Sequence, residues 1–416
     1  MKKLIGAVLV LCTALATNAE LHAQDFPPVP TEVVQLSDRA IIVRVLGPQA
    51  TNVIALDSDA GIIVIDTEVS PVLARAIRNR IEETFGRSDF AYVINTHHHG
   101  DHTYGNQVFE DAMIVGMAEV PSRMAEAEQS REGTIQQLTA GLSGLRQALA
   151  GTDPGTEESG SLKATISYYE AVLTGLTDGF RLTAPALTFN DRMELRAGDL
   201  TLELVYYGQA HSETDILIFC PELNLVATGD IFVPGEDPYL DSERWLQLDR
   251  WLENLDRMLG PSYAGATLIP GHGDNLSPGD LQVAKAFAQA KKAEFSGKGS
   301  AFFAFRDAYE AGGLEAGLLE LDELRAHPDG HFFIHDEFDS FVYRLMVDGE
   351  ENVAVRLFEK LAALFPHAPN AFDSLGEAYL RTGDGEKAQR AFQRCIQLDP
   401  DHQNANTRLE ELRRTG

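Results

Sequence analysis

Within eight positions the chain reads Asn95-Thr96-His97-His98-His99-Gly100-Asp101-His102, a concentration of imidazole and carboxylate that invites a metal ion. In an extended segment alternate side chains share a face. His97 and His99 therefore point the same way and can pinch one ion, while His98 points away. Gly100 lets the backbone turn, after which Asp101 and His102 can meet a second ion beside the first. Imidazole nitrogen and carboxylate oxygen suit Zn²⁺. Three later residues offer the same donors next to glycine: His211 in Gly208-Gln209-Ala210-His211-Ser212, Asp230 after Gly229, and His272 between Gly271 and Gly273. Singly, a histidine or a Gly-Asp turn is ordinarily structural. In this order, after the first cluster, they read as parts of one ligand set.

Such residues need rigid elements behind them, and the sequence supplies short β-rich runs broken by Gly, Pro, Asn and Asp. Strands are expected over 40–45, 52–56, 61–66 and 90–95, the last ending where the histidines begin. A helix is expected over 72–85, with Ser70-Pro71 as cap and first position. Further strands are expected over 187–195, 200–206, 216–220 and 225–228, and helices over 242–258 and 278–293. The pattern falls into two similar halves, each ending in helices. Residues 117–180 interrupt it with Ala-, Glu-, Gln- and Leu-rich sequence, read as two helices joined by a loop near 151–160. This insertion follows the first metal cluster and is expected to overhang the cleft and shape the substrate pocket. Tyr104, Phe232 and Tyr239 follow metal positions and could line that pocket, although aromatic residues there more often pack.

Toward the C-terminus Gly349, Ala354, Phe358, Pro366 and Asn370 recur 34 positions later as Gly383, Ala388, Phe392, Pro400 and Asn404. That offset resembles the tetratricopeptide repeat, with a clear second copy and a degenerate first. Helix pairs of this kind cannot bury their apolar faces alone, so the module needs neighbouring helices. The expected division is a signal peptide at 1–23, a catalytic domain at 24–298, a helical linker at 299–335 and the repeats at 336–416. Lys2, Lys3 and the short apolar run that follows fit a bacterial export signal, hence a periplasmic or secreted location with no stable membrane anchor after cleavage.

At 416 residues the chain is long enough for two domains, and 44% hydrophobic with 23% charged residues is ordinary for a folded protein. Asp and Glu outnumber Lys and Arg by 63 to 34, a net charge of −29 that repels phosphate backbones and argues against a nucleic-acid partner. Of the three cysteines Cys12 lies in the export segment, leaving Cys220 and Cys395 in different expected domains as two separate buried thiols.

The ordered set His-x-His-x-Asp-His, then His, Asp and His, together with Asp66 at the end of an early strand, resembles the metallo-β-lactamase superfamily over about residues 30–295. The resemblance implies an α/β fold, a four-layer αββα sandwich carrying a helical insertion and followed here by an all-α tetratricopeptide-like module. It implies two zinc ions per chain, with His97, His99 and His211 on the first, Asp101, His102 and His272 on the second, and Asp230 bridging them. Asp66 would have a supporting role. Asp101 would orient a metal-bound hydroxide and shuttle its proton, with no Ser or Cys nucleophile; Ser212 would be a turn residue. The true β-lactamases of this fold usually carry Cys or Ser where Asp230 stands. An ester, thioester or lactone of a small-molecule substrate is therefore the expected target. Kept beside it are a β-lactamase-like exported hydrolase, a single-iron oxidoreductase acting on persulfides, and a metal-containing scaffold whose repeats bind a protein partner or self-associate.

Overall fold

Three consecutive strands are buried at nearly every position, which is the signature of strands covered on both faces. The computed structural model describes residues 29–48, 50–233 and 248–415. Strands β1 (Thr31–Ser37), β2 (Ala40–Val45), β3 (Val53–Ser58) and β4 (Gly61–Ile65) form an antiparallel meander. Helix α1 (Pro71–Phe85) follows, capped by the Ser70 hydroxyl and stopped by Gly86 in the left-handed region. Then come β5 (Phe90–Ile94), the single turn α2 (Gly100–Thr103), β6 (Met113–Met117), the helices α3 (Val120–Glu128), α4 (Arg131–Gly151) and α5 (Glu157–Thr177), and β7 (Leu187–Phe189). These strands make one seven-stranded sheet in the order β1 to β7, parallel from β4 onward.

The second sheet runs β12-β11-β10-β9-β8. Its members are β8 (Arg192–Ala197), β9 (Leu200–Tyr206), β10 (Ile216–Cys220) and β11 (Leu225–Gly229), followed by α6 (Leu248–Met258), β12 (Thr267–Pro270) and α7 (Pro278–Phe295). Alternation decides the layers. Ile42, Ile54, Leu56, Ile63 and Ile65 of the first sheet meet Leu202, Leu204, Ile216, Ile218 and Ala227 of the second, forming the central core. The opposite faces carry Ile41, Val43, Ala55 and Val64 against Leu73, Ile77, Tyr168 and Val172, and Leu217 and Val226 against Trp251, Leu255, Leu281 and Ala284. The result is a four-layer αββα sandwich.

The chain continues through a short parallel pair, β13 (Gly299–Ser300) with β14 (His331–Phe332), which flanks α8 (Ala301–Ala326). Five helices complete it: α9 (His335–Val347), α10 (Glu351–Leu364), α11 (Pro369–Arg381), α12 (Gly385–Leu398) and α13 (Gln403–Thr415). Phe305, Phe338, Phe358 and Phe392 anchor their shared core. Gly376 is the small residue at the α11–α12 crossing, since a Cβ there would sit 2.5 Å from the Phe392 ring.

Some expectations change and others hold. The run over 187–195 is two strands, because Asn190 and Asp191 break it and send β7 and β8 to different sheets. Strands β1, β6 and β12 and the short pair β13 and β14 are additions. The insertion contains three helices, and α5 is built into the first sheet's outer layer: Tyr168, Ala171, Val172 and Leu176 are buried against α1 and that sheet. Phe232 packs beneath α6 and Tyr104 packs edge-on to Phe180. Cys220 and Cys395 are both free and buried. The segment 1–23, Tyr239 and the start of the helix expected from 242 lie outside the described residues. Among the described residues no helix is long and apolar enough to cross a membrane.

Candidate metal centre

Every candidate ligand sits at one edge of the sandwich, on a loop or in a single helical turn that follows a strand. His97 and His99 follow β5, Asp101 and His102 lie in α2, His211 lies between β9 and β10, Asp230 follows β11 and His272 follows β12. The first four come from one sheet and the last three from the other.

The seven side chains converge into two groups, His97, His99 and His211 in one, and Asp101, His102, Asp230 and His272 in the other. His99 Nδ1 lies 3.1 Å from His97 Nε2 and 3.0 Å from His211 Nε2. Ligand nitrogens of a tetrahedral zinc are separated by about 3.3 Å. Asp101 Oδ2 lies 3.1 Å from His272 Nε2 and 3.3 Å from His102 Nε2. Asp230 Oδ2 faces both groups, at 3.3 Å from His102, 3.5 Å from His272, 3.7 Å from His211 and 3.9 Å from His97.

A second layer sets the ring orientations. Asp66, at φ +63° after β4, accepts from the Thr96 N–H at 2.8 Å, from the Thr96 hydroxyl at 2.7 Å and from His102 Nδ1 at 2.9 Å. With its proton given to Asp66, the Thr96 hydroxyl accepts from His97 Nδ1 at 3.1 Å. His272 Nδ1 donates to the Ala50 carbonyl at 3.0 Å. His97, His102 and His272 thus each spend Nδ1–H on the protein and turn a bare Nε2 into the site, as metal-ligating histidines do. His98 instead pairs with the Thr214 hydroxyl at 2.9 Å.

The loops are pinned as firmly. Asp215 accepts from Ser212 N–H at 2.6 Å, Ser212 hydroxyl at 2.7 Å and Ala210 N–H at 3.2 Å, folding the turn that presents His211. Asn52 holds the His272 loop across the sheets, donating from Nδ2 to Pro270 and Gly273 carbonyls at 2.8 and 2.9 Å. Thr51 hydroxyl donates to the Asp101 carbonyl at 3.1 Å. None of Thr96, Asp215, Asn52 and Thr51 was singled out from the sequence. Asp215 had a signal, an acid four residues after a candidate ligand histidine; Asn52 and Thr51 lie far along the chain from the residues they hold and had none.

The electrostatics call for positive charge. Burial pushes His97 well below the ordinary imidazole value and, with His211 beside it, takes His99 down to about 3. Burial opposes protonation of His102 and His272 too, but the Asp101 and Asp230 carboxylates outweigh it, raising His102 well above its ordinary value and His272 to about 10. Asp101 and Asp230 are held well below the carboxylate range, burial being overcome chiefly by His102. A proton and a metal cation compete for the same place. His102 Nε2 and Asp230 Oδ1 are buried with no hydrogen-bond partner, a cost that a bound cation removes. The donor set, all imidazole and carboxylate, fits zinc.

Asp66→Asn leaves one acceptor for the Thr96 and His102 protons and is expected to lower metal affinity about 10- to 100-fold. Competition with a chromophoric chelator measures this, and unchanged affinity would remove Asp66 from the ligand-positioning layer.

The Metallo-beta-lactamase superfamily profile matches residues 46–272, and a tetratricopeptide repeat profile matches 369–402. The 2,4-dinitroanisole O-demethylase subunit alpha of Nocardioides sp. (strain JS1661) is 23% identical over 231 residues, 55% of each chain. The chain therefore spans about half the length of that curated relative. Among solved structures, the metallo-beta-lactamase from Pontibacter korlensis is 14% identical with a TM-score of 0.45, covering 62% of this chain and 99% of that one. The DIM-1 metallo-beta-lactamase is 14% identical with a TM-score of 0.44, covering 63% and 98%. Because the profile runs from just after β2 to His272 itself, over more than half of the sequence, the chain belongs to the metallo-β-lactamase superfamily.

Proposed function

We propose that the protein is an exported dinuclear zinc hydrolase that opens an ester, thioester or lactone bond of a small molecule. The observation that carries this reading is the Asp230 carboxylate, whose Oδ2 lies within 3.9 Å of four imidazole nitrogens from both ligand groups. A carboxylate so placed can serve both groups at once. His97, His99 and His211 would hold one ion, Asp101, His102 and His272 the other. Zinc held there would supply a bound water of pKa about 7 and a Lewis acid for the bond to be broken.

The chain's own residues do the rest. Asp101 Oδ2, 30% exposed at the side chain, is the carboxylate of the site most open to solvent, so it can orient an attacking water and accept its proton. Asp66, Thr96 and the Ala50 carbonyl keep three imidazoles from turning as charge moves. The net charge of −29 disfavours polyanionic substrates. A second reading has specific support from the O-demethylase relative: an activated methyl ether is a further bond that such a centre could open. For the C-terminal repeats a protein partner or self-association is the matching proposal.

The test combines elemental analysis with a hydrolysis screen of esters, thioesters, lactones, β-lactams, phosphodiesters and nitroaryl methyl ethers, run on wild type and Asp101→Ala. Near two zincs per wild-type chain are expected, with one bond class hydrolysed and its kcat lowered about 10²- to 10⁴-fold in the variant. A protein without stoichiometric metal, or activity indifferent to Asp101, would sink the proposal.

A further inference from the structure

A third convergence of ligand-type side chains lies far along the chain from the first two. Asp373 on α11, Cys395 on α12 and His402 in the turn before α13 bring one carboxylate oxygen, one sulfur and one imidazole nitrogen within 4.8 Å of one another. The three arise from three different segments of the C-terminal helices, so no local turn accounts for their meeting. We propose that they form a separate divalent-cation site, of the borderline-soft class typified by Zn²⁺, that clips α11, α12 and the start of α13 together.

The surroundings are arranged as a ligand set requires. His402 Nε2 donates to Asn370 Oδ1 at 3.0 Å, which places the proton there and leaves Nδ1 as a lone pair. That Nδ1 faces Asp373 Oδ1 at 3.7 Å. It also accepts from the Ala405 N–H at 3.4 Å, a long hydrogen bond that a cation at Nδ1 would displace. Asp373 is held from behind by the Asn404 amide, at 3.0 and 2.9 Å from its two oxygens, and Asn404 is anchored in turn on Glu377 at 3.0 Å. Cys395 closes the inner side, fully buried and unpaired.

Tetrahedral zinc with one sulfur, one nitrogen and one oxygen ligand needs donor separations of about 3.3–3.7 Å. Since no pair lies more than 4.8 Å apart, the gaps must close by at most about 1–1.5 Å, within reach of side-chain rotation. Binding exchanges the Cys395 thiol proton for the cation: one S–H bond breaks, one metal–sulfur bond forms and one proton leaves to solvent. A fourth position would be left to water.

Cobalt tests this on the full chain independently of catalysis. The catalytic ligands are all nitrogen and oxygen, so a near-ultraviolet thiolate-to-cobalt band reports only a cysteine ligand. The expected result is that band in wild type and in Cys220→Ser, lost together with one metal equivalent in Cys395→Ser, and cobalt affinity weakened about 10-fold or more in His402→Ala. Should Cys395→Ser fold poorly, zinc protection of the wild-type Cys395 thiol against alkylation, by about 10-fold, decides instead. No thiolate band at excess cobalt, a band that survives Cys395→Ser, or no protection would overturn the proposal. Cobalt bound without a thiolate band would leave the catalytic reading intact, and so separates the two.

Discussion

Gly271→Ala is expected to lose more than about 100-fold in zinc affinity, and hydrolysis with it, while keeping its fold. The added methyl would stand 2.0 Å from Asp230 Oδ1 and 2.8 Å from His102 Cε1. The backbone cannot retreat, because Gly271 N–H donates to the Gly229 carbonyl at 2.8 Å and the Gly271 carbonyl accepts from Asn52 N–H at 2.6 Å. These bonds tie it to β11 on one side and to the start of β3 on the other. The Asp230 carboxylate must swing away, and it is the group that faces both ligand clusters. Elemental analysis and kcat/KM beside a thermal melt check this. Wild-type zinc content in a normally folded variant would show that the loop yields after all, and that the bridging position is less demanding than the geometry implies.

The second large effect is on stability. Tyr168→Ala is expected to cost about 3–5 kcal/mol, lowering the melting point on the order of 10 °C, with metal content unchanged in the folded fraction. Tyr168 is fully buried, its ring lies so close to Gly47 that a Cβ there would sit 2.1 Å away, and it shares a core with Leu73, Ile77 and Val43. The residue belongs to the insertion, so the outcome also decides what the insertion is for. A loss under about 1 kcal/mol would return α5 to the role of a removable pocket wall. With the expected loss, removing all of residues 117–180 would strip α5 from the outer layer of the first sheet and leave α1 to cover it, a cost in stability before any change in substrate choice.

The sequence was most informative where local chemistry and local geometry coincide. Alternation in the histidine run separates His97 and His99 from His98, and the structure gives His98 a different partner, Thr214. The cap at Ser70-Pro71 and the strands over 40–45, 200–206 and 216–220 follow from propensity and punctuation, and the 34-residue offset marks the terminal repeat. What escaped depends on distance in the chain. Asn52 reaches 218 residues ahead to hold Pro270, and Asp66 reaches 36 to hold His102; nothing beside either residue announces the partner. The break at Asn190-Asp191 was hidden because β7 and β8 are both strands, and only the change of sheet separates them. The insertion misled because its polar composition describes α4, whose one buried residue is Leu142, better than α5, whose apolar positions complete a core.

The division of ligands between the two sheets has a thermodynamic corollary. Four donors ride on one half of the sandwich and three on the other, so unfolding either half dismantles both ion sites. A cation held there would be a mass-action partner of the native state alone, adding stability as the logarithm of its free concentration over its dissociation constant. The folded fraction would then be set jointly by core packing and by the activity of that cation, so that its scarcity would be felt as fragility of the whole sandwich and not only as silence of its chemistry.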